Sequence, residues 1–343
     1  MSATSAAKAL KTLEKPLRLA FVGTGWIGRH RMEAIISSNV AEATVICDPA
    51  PTVRTEAGRL VPEAVQVSSF EDVFDHELDG VVIATPSAQH AAQSLAALER
   101  GIPVFCQKPL GRNTAETKKV VDAARTADRL LGIDLSYRQT GGMQKVRELV
   151  AQGELGDVFA VDVVFHNAYG PDKSWFYDRD QSGGGCVIDL GVHLVDLALW
   201  VLDFPDILHA HSQLFQKGRP WGSQADGVED AAWATLVLYN GTVIRLACSW
   251  GLHAGQDAVI SCKFHGTKGG ASFSNKGGSF YDFETRQLTG TSHRILHDEP
   301  EDWGGRAAVH WAKDLVQRPT FNPQAEELIK VAAALDRIYG RPI

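Results

Sequence analysis

From Leu17 onward, short apolar runs alternate with longer segments in which apolar residues recur every three or four positions. The runs LRLAFVG, ATVICD, DGVVIATP, IPVFCQKP and LLGIDLSY predict buried strands, and the longer segments between them predict helices. Strands that alternate with helices indicate a parallel sheet covered on both faces. The pattern therefore predicts an α/β domain over residues 17–137, after a short N-terminal lead-in of residues 1–16.

The pattern changes after residue 137. Apolar and polar residues then alternate in DVFAVDVVFHNA and in several later runs, as in strands with only one face buried. Asn240-Gly241 separates two of these runs and predicts a tight hairpin turn. We therefore predict an α+β domain with a large, mainly antiparallel open sheet over residues 138–323, and an amphipathic C-terminal helix over 324–343.

Composition narrows the class of protein. The 34 Lys and Arg residues against 41 Asp and Glu give a net charge of −7, which argues against nucleic acid or an anionic membrane as partner. The five cysteines are widely spaced without a CxxC pair, so neither a disulfide framework nor a zinc site is indicated. We see no apolar run of the roughly 18 residues that a membrane span needs, and no signal-peptide core. A cytoplasmic protein is expected.

The first strand ends in the glycine-rich loop Gly23-Thr24-Gly25-Trp26-Ile27-Gly28, which leads directly into a helix. A GxGxxG pattern is informative only between a strand and a helix, which is where this one lies. The first glycine permits the tight turn, the second lets a pyrophosphate approach the backbone, and the third allows close helix packing. The helix N-terminus then offers free N–H groups to phosphates. Trp26 and Ile27 belong to the same predicted site.

Asp48 ends the second strand, 20 residues after Gly28. An acidic residue at that position can accept both ribose hydroxyls of the adenosine half of a dinucleotide. It would repel a 2′-phosphate, so the sequence favours NAD over NADP. Arg54 and Arg59 follow closely and keep NADP open.

A lysine, Lys108, ends the apolar run IPVFCQKP. A charged residue at the end of a core strand is costly unless its charge is needed. Pro109 restricts Lys108 to an extended backbone, so its side chain is directed.

A second chemical signal lies in SGGGCVIDLGVHLVDLALWVL, residues 182–202, which predicts one buried helix. Asp189, His193 and Asp196 stand at positions i, i+4 and i+7 and share one face of it. Buried carboxylates and an imidazole are expensive unless they serve a site. A metal site is an alternative, but it lacks a clear third and fourth ligand. Asp196 is expected to orient the imidazole or to cap a neighbouring element rather than to act in catalysis.

Taken together, these motifs make the chain resemble the Gfo/Idh/MocA oxidoreductases, a family that includes glucose–fructose oxidoreductase and inositol dehydrogenase. The resemblance extends from Leu17 to the end of the chain. Its marks are GTGWIG, Asp48, Ala84-Thr85-Pro86 with His90, Lys108-Pro109, Tyr137-Arg138 and GGGCVIDLGVHLVD. One departure is Gln107, where the family commonly has glutamate, so that Lys108 loses a negatively charged neighbour.

The resemblance implies an NAD(P)-dependent dehydrogenase of a sugar, polyol or sugar derivative. It implies His193 as the acid/base, Lys108 as hydrogen-bond donor to the reacting oxygen, and Asp189 as an assisting group. It also implies a homodimer or homotetramer joined through the open sheet, and a C-terminal helix packed near the nucleotide-binding domain, which would have a Rossmann fold. The cofactor contacts that follow are Gly23, Gly25, Trp26, Ile27, Gly28, Asp48, Ala84, Thr85, Pro86, His90, Gln107 and Lys108.

A polar and aromatic segment, HNAYGPDKSWFYD, precedes the glycine-rich turn of the predicted helix. Sugars present hydroxyl edges and apolar C–H faces, so such a mixture suits them. The candidate substrate contacts are His166, Asn167, Asp172, Trp175 and Tyr177, together with Tyr137 and Arg138 at the end of the first domain.

Two other functions stay open from the sequence. One is a glycosidase that uses bound NAD without net redox change, and the other is a non-catalytic nucleotide-binding regulator. Accumulation of NADH distinguishes the dehydrogenase from both. The stretch 289–311 has no assigned role, and its Asp-Glu-Pro-Glu-Asp run predicts a solvated loop.

Overall fold

The first short apolar runs form a six-stranded parallel sheet in a computed structural model, which describes residues 15–222 and 225–343. The predicted lead-in, residues 1–16, lies outside this description except for its last two residues. The strands follow the order β3-β2-β1-β4-β5-β6, so the direction of the winding reverses between β1 and β4. Ligands bind beside such a reversal at the carboxyl ends of the strands. The strands are β1 (Leu17–Val22), β2 (Ala41–Cys47), β3 (Val65–Val67), β4 (Gly80–Ile83), β5 (Val104–Cys106) and β6 (Leu131–Ile133).

Helices cover both faces of this sheet, and one of them comes from far along the chain. The connecting helices are α1 (Trp26–Ser37), α2 (Pro51–Gly58), α3 (Ser87–Glu99) and α4 (Thr114–Ala127). A further helix, α8 (Arg306–Gln317), packs on the same face as α1. Its Trp311 lies over Gly80 and Gly132, where an added Cβ would come within 2.8 and 2.5 Å of the indole.

The open stretch 289–311 is therefore structured. It contains the last residue of one strand and the whole of another, Ser292–His297, and its last residues begin α8. The prediction of a solvated acidic loop is wrong for Glu301, whose side chain is only 14% exposed. Glu301 accepts a 2.8 Å hydrogen bond from the Gly141 backbone and pairs with Arg306 and His297. A run of acidic residues in the sequence does not indicate that Gly141, His297 and Arg306 lie around Glu301.

The alternating runs of the second part form another sheet, which has nine strands within the described ranges. Its order is β15-β14-β13-β12-β7-β11-β10-β8-β9, and every neighbouring pair is antiparallel except β7 with β11. The strands are β7 (Val158–Asn167), β8 (Ile207–Gln216), β9 (Arg219–Pro220), β10 (Ala231–Leu238), β11 (Val243–Ser249), β12 (Ala258–Gly266), β13 (Gly270–Asn275), β14 (Phe283–Thr289) and β15 (Ser292–His297). The predicted fold class, an α/β Rossmann sheet beside an α+β part with a mainly antiparallel sheet, is confirmed.

Four further helices pack against the second sheet or against the helices of the first. They are α5 (Gly141–Ala151), α6 (Arg179–Ser182), α7 (Val192–Val201) and α9 (Glu327–Ile338). The last of these packs against α4 and α7, and its Asp336 accepts the backbone N–H and the hydroxyl of Thr114. The boundaries at residues 137 and 323 stay predictions.

The predicted helix over residues 182–202 differs from a regular α-helix at its start. Val187–Gly191 form one turn of π-helix before α7 begins. The stretch Arg179–Val201 is long and apolar enough to cross a membrane by length and composition, although no run of that kind was expected. It is 89% buried in the fold, as a core helix is.

Candidate active site

The glycine loop has the geometry of a phosphate-binding turn. Gly23 has φ of +79°, and an added Cβ would lie 2.7 Å from the Ala84 backbone. At Gly28 it would lie 1.9 Å from the Gly23 carbonyl oxygen, whereas at Gly25 it would meet nothing within 4 Å. Two of the glycines are thus required by packing, and the third leaves the backbone open to a ligand. No side chain within the described ranges caps the N-terminus of α1, and its first turn holds no acidic residue, so its N–H groups are available to a phosphate.

Asp48 follows β2 and turns back to this loop. Its Oδ2 accepts the Thr24 N–H at 2.9 Å, and its Oδ1 accepts the Ala50 N–H at 2.9 Å. Each carboxylate oxygen keeps a lone pair for a further donor. The Arg54 guanidinium donates to the backbone carbonyl of Asp48, so this cation also stands beside the predicted ribose site.

His90 joins two loops at the carboxyl ends of β4 and β5. One ring nitrogen lies 2.7 Å from the carbonyl oxygen of Thr85, and the other lies 2.7 Å from that of Pro109. Burial lowers the pKa of His90. The imidazole therefore fixes the Ala84–Pro86 loop relative to the turn that carries Lys108.

Lys108 reaches across from the first sheet to the helix of the second part. Its Nζ donates to Asp189 Oδ1 and to the Asp189 backbone carbonyl, both at 2.7 Å. The other carboxylate oxygen accepts a 3.1 Å hydrogen bond from Trp250 Nε1. Both side chains of the ion pair are partly exposed, at 18% and 16%. Because Asp189 lies in the π-helical turn, it is presented to Lys108 at the very start of the helix.

His193 lies one turn further along, against Tyr137 and Phe165. Its ring centroid is 5.0 Å from that of Tyr137, edge to face, and 6.5 Å from that of Phe165. Burial, assisted by the charges of Lys108 and Arg31, lowers the pKa of His193 well below its ordinary value of 6.5. The imidazole is therefore neutral at pH 7 and able to accept a proton.

A second carboxylate stands beside Gln107. Asp134, directly after β6, accepts hydrogen bonds from the Gln107 side-chain amide, from Arg31 Nε at 2.5 Å and from Ser136 Oγ at 2.8 Å. Asp134 is 1% exposed and paired with a guanidinium. A glutamate at position 107 would bring a second negative charge against it. A carboxylate therefore stands beside position 107, directly after the neighbouring strand, and its charge is paired with Arg31.

Two cavities meet at Gln107 and Lys108. The first has a volume of about 280 Å³ and is lined by the Ala84–Thr85 loop, His90, Trp175, Phe176 and Asp189. The second has a volume of about 220 Å³ and includes His193, Asp134, Ser136 and several aromatic side chains. Ile27 of the glycine loop lines both. Lys108 therefore separates a space next to the dinucleotide loop from a space that contains the buried histidine.

The predicted substrate contacts divide into two groups. Trp175 lines the first cavity, stacked on Phe176 at 3.8 Å, and Tyr137 lines the second. The remaining five line neither cavity: Arg138, His166, Asn167, Asp172 and Tyr177.

Each of those five has another environment. His166 lies beside Ser249 and the exposed Trp233, because residues 161, 163 and 165 of β7 are the ones that face the core. The Asn167 side-chain oxygen is buried without a hydrogen-bond partner among the described residues. Asp172 is exposed beside Lys173, and Tyr177 donates to the Pro171 carbonyl.

Arg138 and Asp196 form their own buried pair. Arg138 Nη2 lies 2.5 Å from Asp196 Oδ1 and its Nε lies 2.9 Å from Oδ2, and Glu327 stands 3.4 Å away on the other side. Asp196 therefore binds Arg138 and does not orient His193. The structure does not bring Arg138 to either cavity.

Sequence reasoning missed several residues at this site. Trp250 and Phe176 frame Asp189, and Phe280, Tyr281 and Trp303 line the second cavity. Asp134, Ser136 and Arg31 were missed as well. The sequence GIDLSY does indicate Asp134 as a candidate site residue, since Asp134 follows a buried parallel strand at the edge where such sheets bind ligands.

Glu229 supports the turn that leads to Asp189. It is fully buried and accepts the backbone N–H groups of Gly185 and Val187 at 3.0 Å and the hydroxyl of Tyr339 at 2.7 Å. Burial raises the pKa of Glu229. Among the described residues, no group of three or more His, Cys, Asp and Glu side chains could hold a metal ion.

Comparison with known proteins agrees with this arrangement. Residues 17–135 match the family model described as "Oxidoreductase family, NAD-binding Rossmann fold", and residues 143–272 match that of the GFO/IDH/MocA C-terminal domain. The D-glucoside 3-dehydrogenase of Escherichia coli K12 is 28% identical over 272 residues, covering 75% of this chain and 77% of the relative. The inositol 2-dehydrogenase of Acidiphilium cryptum is 30% identical over 260 residues, covering 75% and 73%.

Solved structures give the same fold. Levoglucosan dehydrogenase in complex with NADH and levoglucosan superposes with a TM-score of 0.82 over 95% of this chain and 97% of that one, at 19% sequence identity. At that level of identity the likeness concerns the fold.

Proposed function

This chain belongs to the Gfo/Idh/MocA family of oxidoreductases. From that premise we propose that it oxidises a hydroxyl carbon of a sugar, polyol or sugar derivative to a carbonyl, or reduces that carbonyl in the reverse direction. The family assignment makes it an NAD(P)-dependent dehydrogenase of CH–OH groups. The observation that carries the proposal is the position of Lys108. Its ammonium group stands between the cavity beside the dinucleotide loop and the cavity that contains His193.

The residues present fit a dinucleotide. Asp48 would hold the adenosine ribose, the open backbone at Gly25 would hold the pyrophosphate, and the first cavity would hold the nicotinamide half. When bound, the nicotinamide supplies the hydride acceptor or donor. The negative charge of Asp48 favours NAD, and Arg54 is the group that could support NADP.

The protein's own residues would manage the proton. His193, held neutral by its lowered pKa, would accept the proton of the substrate hydroxyl as the carbon is oxidised. Lys108 would donate a hydrogen bond to the same oxygen and stabilise the negative charge that develops there. Asp189 would keep the ammonium group in place, with Trp250 fixing the carboxylate from the other side. In the reverse direction His193 returns the proton.

The test is a panel of sugars, polyols and glycosides incubated with NAD⁺ and separately with NADP⁺. We expect reduced nicotinamide to accumulate with a sugar or polyol, and to be nearly absent in Lys108→Met and His193→Asn. A matched control is Lys145→Met, because Lys145 also pairs with a carboxylate, that of Glu148 at 3.0 Å, but on an exposed helix face. Glycoside cleavage without net reduction would replace the dehydrogenase by a redox-neutral glycosidase. Nucleotide binding without any turnover would instead favour the non-catalytic regulator.

A further inference from the structure

The second cavity has a polar floor and an aromatic mouth. Lys108, His193, Asp134 and Ser136 line its inner part. Phe280, Tyr281 and Trp303 also line this cavity, and Tyr169 packs beside Phe280. We call these four aromatic side chains, which come from three separate segments, the aromatic rim.

The two tyrosines of the aromatic rim are exposed, whereas Phe280 is half-buried and Trp303 is buried, at 6% exposure. Tyr281 is 55% exposed and Tyr169 is 52% exposed. The Tyr169 and Phe280 ring centroids are 6.2 Å apart, and those of Tyr281 and Trp303 are 6.3 Å apart. A contiguous apolar surface at the edge of a cavity indicates a binding site. The surface is also continuous with the polar floor, because Phe280, Tyr281 and Trp303 line the same cavity as His193.

The turn that carries two of these rings is held in shape by hydrogen bonds. Ser279 Oγ accepts the N–H groups of Tyr281 and Asp282, each at 3.1 Å. Lys276 N–H donates to the Asp282 carbonyl at 2.9 Å, closing the turn. Trp303 Nε1 donates to the Tyr281 carbonyl at 3.1 Å and ties the turn to the segment before α8. Because the turn is already held in this shape, ligand binding costs little conformational entropy there.

The charges near this cavity disfavour an anionic substituent on the ligand. Arg31 is paired with the Asp134 carboxylate at 2.5 Å, and Lys108 is paired with Asp189 at 2.7 Å. The two cations that line the cavity are thus already neutralised by buried or half-buried carboxylates. A phosphate or carboxylate carried on the sugar would compete with these pairs.

We propose that the substrate is a glycoside whose sugar occupies the polar floor and whose apolar or aromatic aglycone stacks on the aromatic rim. This inference rests on the proposed function, because it places the reacting hydroxyl beside Lys108 and His193. It goes further in assigning a second subsite and a substrate class. A free sugar would leave the rim unused.

The experiment compares matched ligands: methyl and phenyl β-D-glucopyranoside, and the corresponding galactose and mannose pairs, each with NAD⁺. We expect the phenyl compound of the productive sugar to exceed the methyl compound about tenfold or more in kcat/KM, mainly through KM, since stacking acts on binding. Tyr281→Ala and Phe280→Ala should reduce that ratio toward one. Tyr239→Ala is the matched control, because Tyr239 is also an exposed tyrosine, at 71%, but lies in the β10–β11 turn and lines neither cavity.

A binding measurement separates this inference from the proposed function. Calorimetric titration of the phenyl and methyl glycosides into protein saturated with NADH needs no turnover. Tighter binding of the phenyl compounds, weakened in Tyr281→Ala but not in Tyr239→Ala, supports the aglycone subsite even if no reduction of NAD⁺ is ever seen. Equal binding and equal kcat/KM for phenyl and methyl glycosides, or a preference that survives both rim variants, overturns it.

Discussion

Asp189 and Asp196 lie seven residues apart in one helical segment, and each pairs with a cation from an earlier part of the chain, Lys108 and Arg138 respectively. The chemistry of the two pairs is alike, but their surroundings differ. Lys108 lines both cavities, Asp189 lines the first, and both side chains are partly exposed, at 18% and 16%. Arg138 is as exposed as Lys108, at 17%, but its partner Asp196 is only 2% exposed. Trp200, Phe204 and Glu327 lie around Arg138, and this pair lines neither of those cavities.

The two pairs differ in the space beside them, and only that beside Lys108 and Asp189 belongs to the site proposed above. Burial raises the pKa of Asp196, and the Arg138 guanidinium opposes that shift, so the second pair is a buried group compensated by its partner. The first pair keeps one face open to a ligand. The comparison therefore predicts that variants of the two pairs fail in different ways.

The largest expected effect is on the group that the open pair serves. His193→Asn removes the proton acceptor and should lower kcat by roughly 10²- to 10⁴-fold. The free energy of unfolding, measured by urea denaturation, should change far less than kcat does. A variant with near-normal kcat would show that another group takes the proton.

The enclosed pair should fail in stability. Arg138→Met leaves Asp196 buried without compensation and should lower the free energy of unfolding by about 3–5 kcal/mol. The double variant Arg138→Met with Asp196→Leu should recover much of that loss, because no charge is then left buried. Denaturant unfolding measures both. If Arg138→Met instead stayed fully stable and lost activity, the assignment of the two pairs would have to be exchanged.

The open pair should fail in activity. Lys108→Met removes the donor to the reacting oxygen and should lower kcat/KM by roughly 10²- to 10³-fold. Its loss of stability should be smaller than that of Arg138→Met, because the Asp189 carboxylate keeps the Trp250 hydrogen bond and contact with solvent. Steady-state kinetics and urea unfolding on the same preparations compare the two variants directly. Comparable destabilisation by both would contradict the distinction drawn here.

A smaller effect is expected at the far side of Asp189. Trp250→Phe keeps most of the ring and removes the N–H donor to Asp189 Oδ2, so kcat/KM should fall about tenfold, the worth of one hydrogen bond to a charged group. The Km for the nucleotide should not change. An unchanged kcat/KM would mean that Lys108 alone positions the carboxylate.

The smallest effect is on the pH profile. Because the pKa of His193 lies well below 6.5, oxidation should stay nearly constant from pH 8 to pH 6.5 and fall only at lower pH, as the imidazole takes up a proton. Lys108 is one of the groups that lower this pKa, so the acid limb should move to higher pH in the residual activity of Lys108→Met. Profiles of kcat/KM between pH 5 and pH 8 measure the shift. An acid limb at an unchanged pH would show that the charge of Lys108 does not lower the pKa of His193.

Local signals predicted the parts of the site that local geometry determines. The glycine loop, Asp48 and Lys108 lie at strand ends, and strand ends can be identified from an apolar run and the turn after it. Asp189 and His193 were visible because charged groups are rare in an apolar helix. The Rossmann sheet and the mainly antiparallel sheet followed from the two hydrophobic periods.

The remaining features depend on contacts that sequence spacing does not record. His166 was predicted for the site, but the pairing of β7 directs it toward Ser249 and Trp233. No pattern of residue types in the sequence predicts the π-helical turn Val187–Gly191. The hydrogen bond from the Gln107 side-chain amide to Asp134 joins residues 27 positions apart. The same is true of the aromatic rim, whose members come from three segments.

Helix α8 has a consequence for how the protein is made. The sheet face that it covers carries Leu19, Phe21 and Phe105, which are synthesised some 200 or more residues before Trp311 and Leu315 arrive to cover them. On the ribosome, the nucleotide-binding half therefore emerges with part of its apolar surface exposed to solvent. That surface is covered only after nearly the whole chain has been synthesised. The six-stranded sheet is therefore complete only after α8 has been made, and we expect truncated products that end before α8 to expose this apolar face and to bind chaperones.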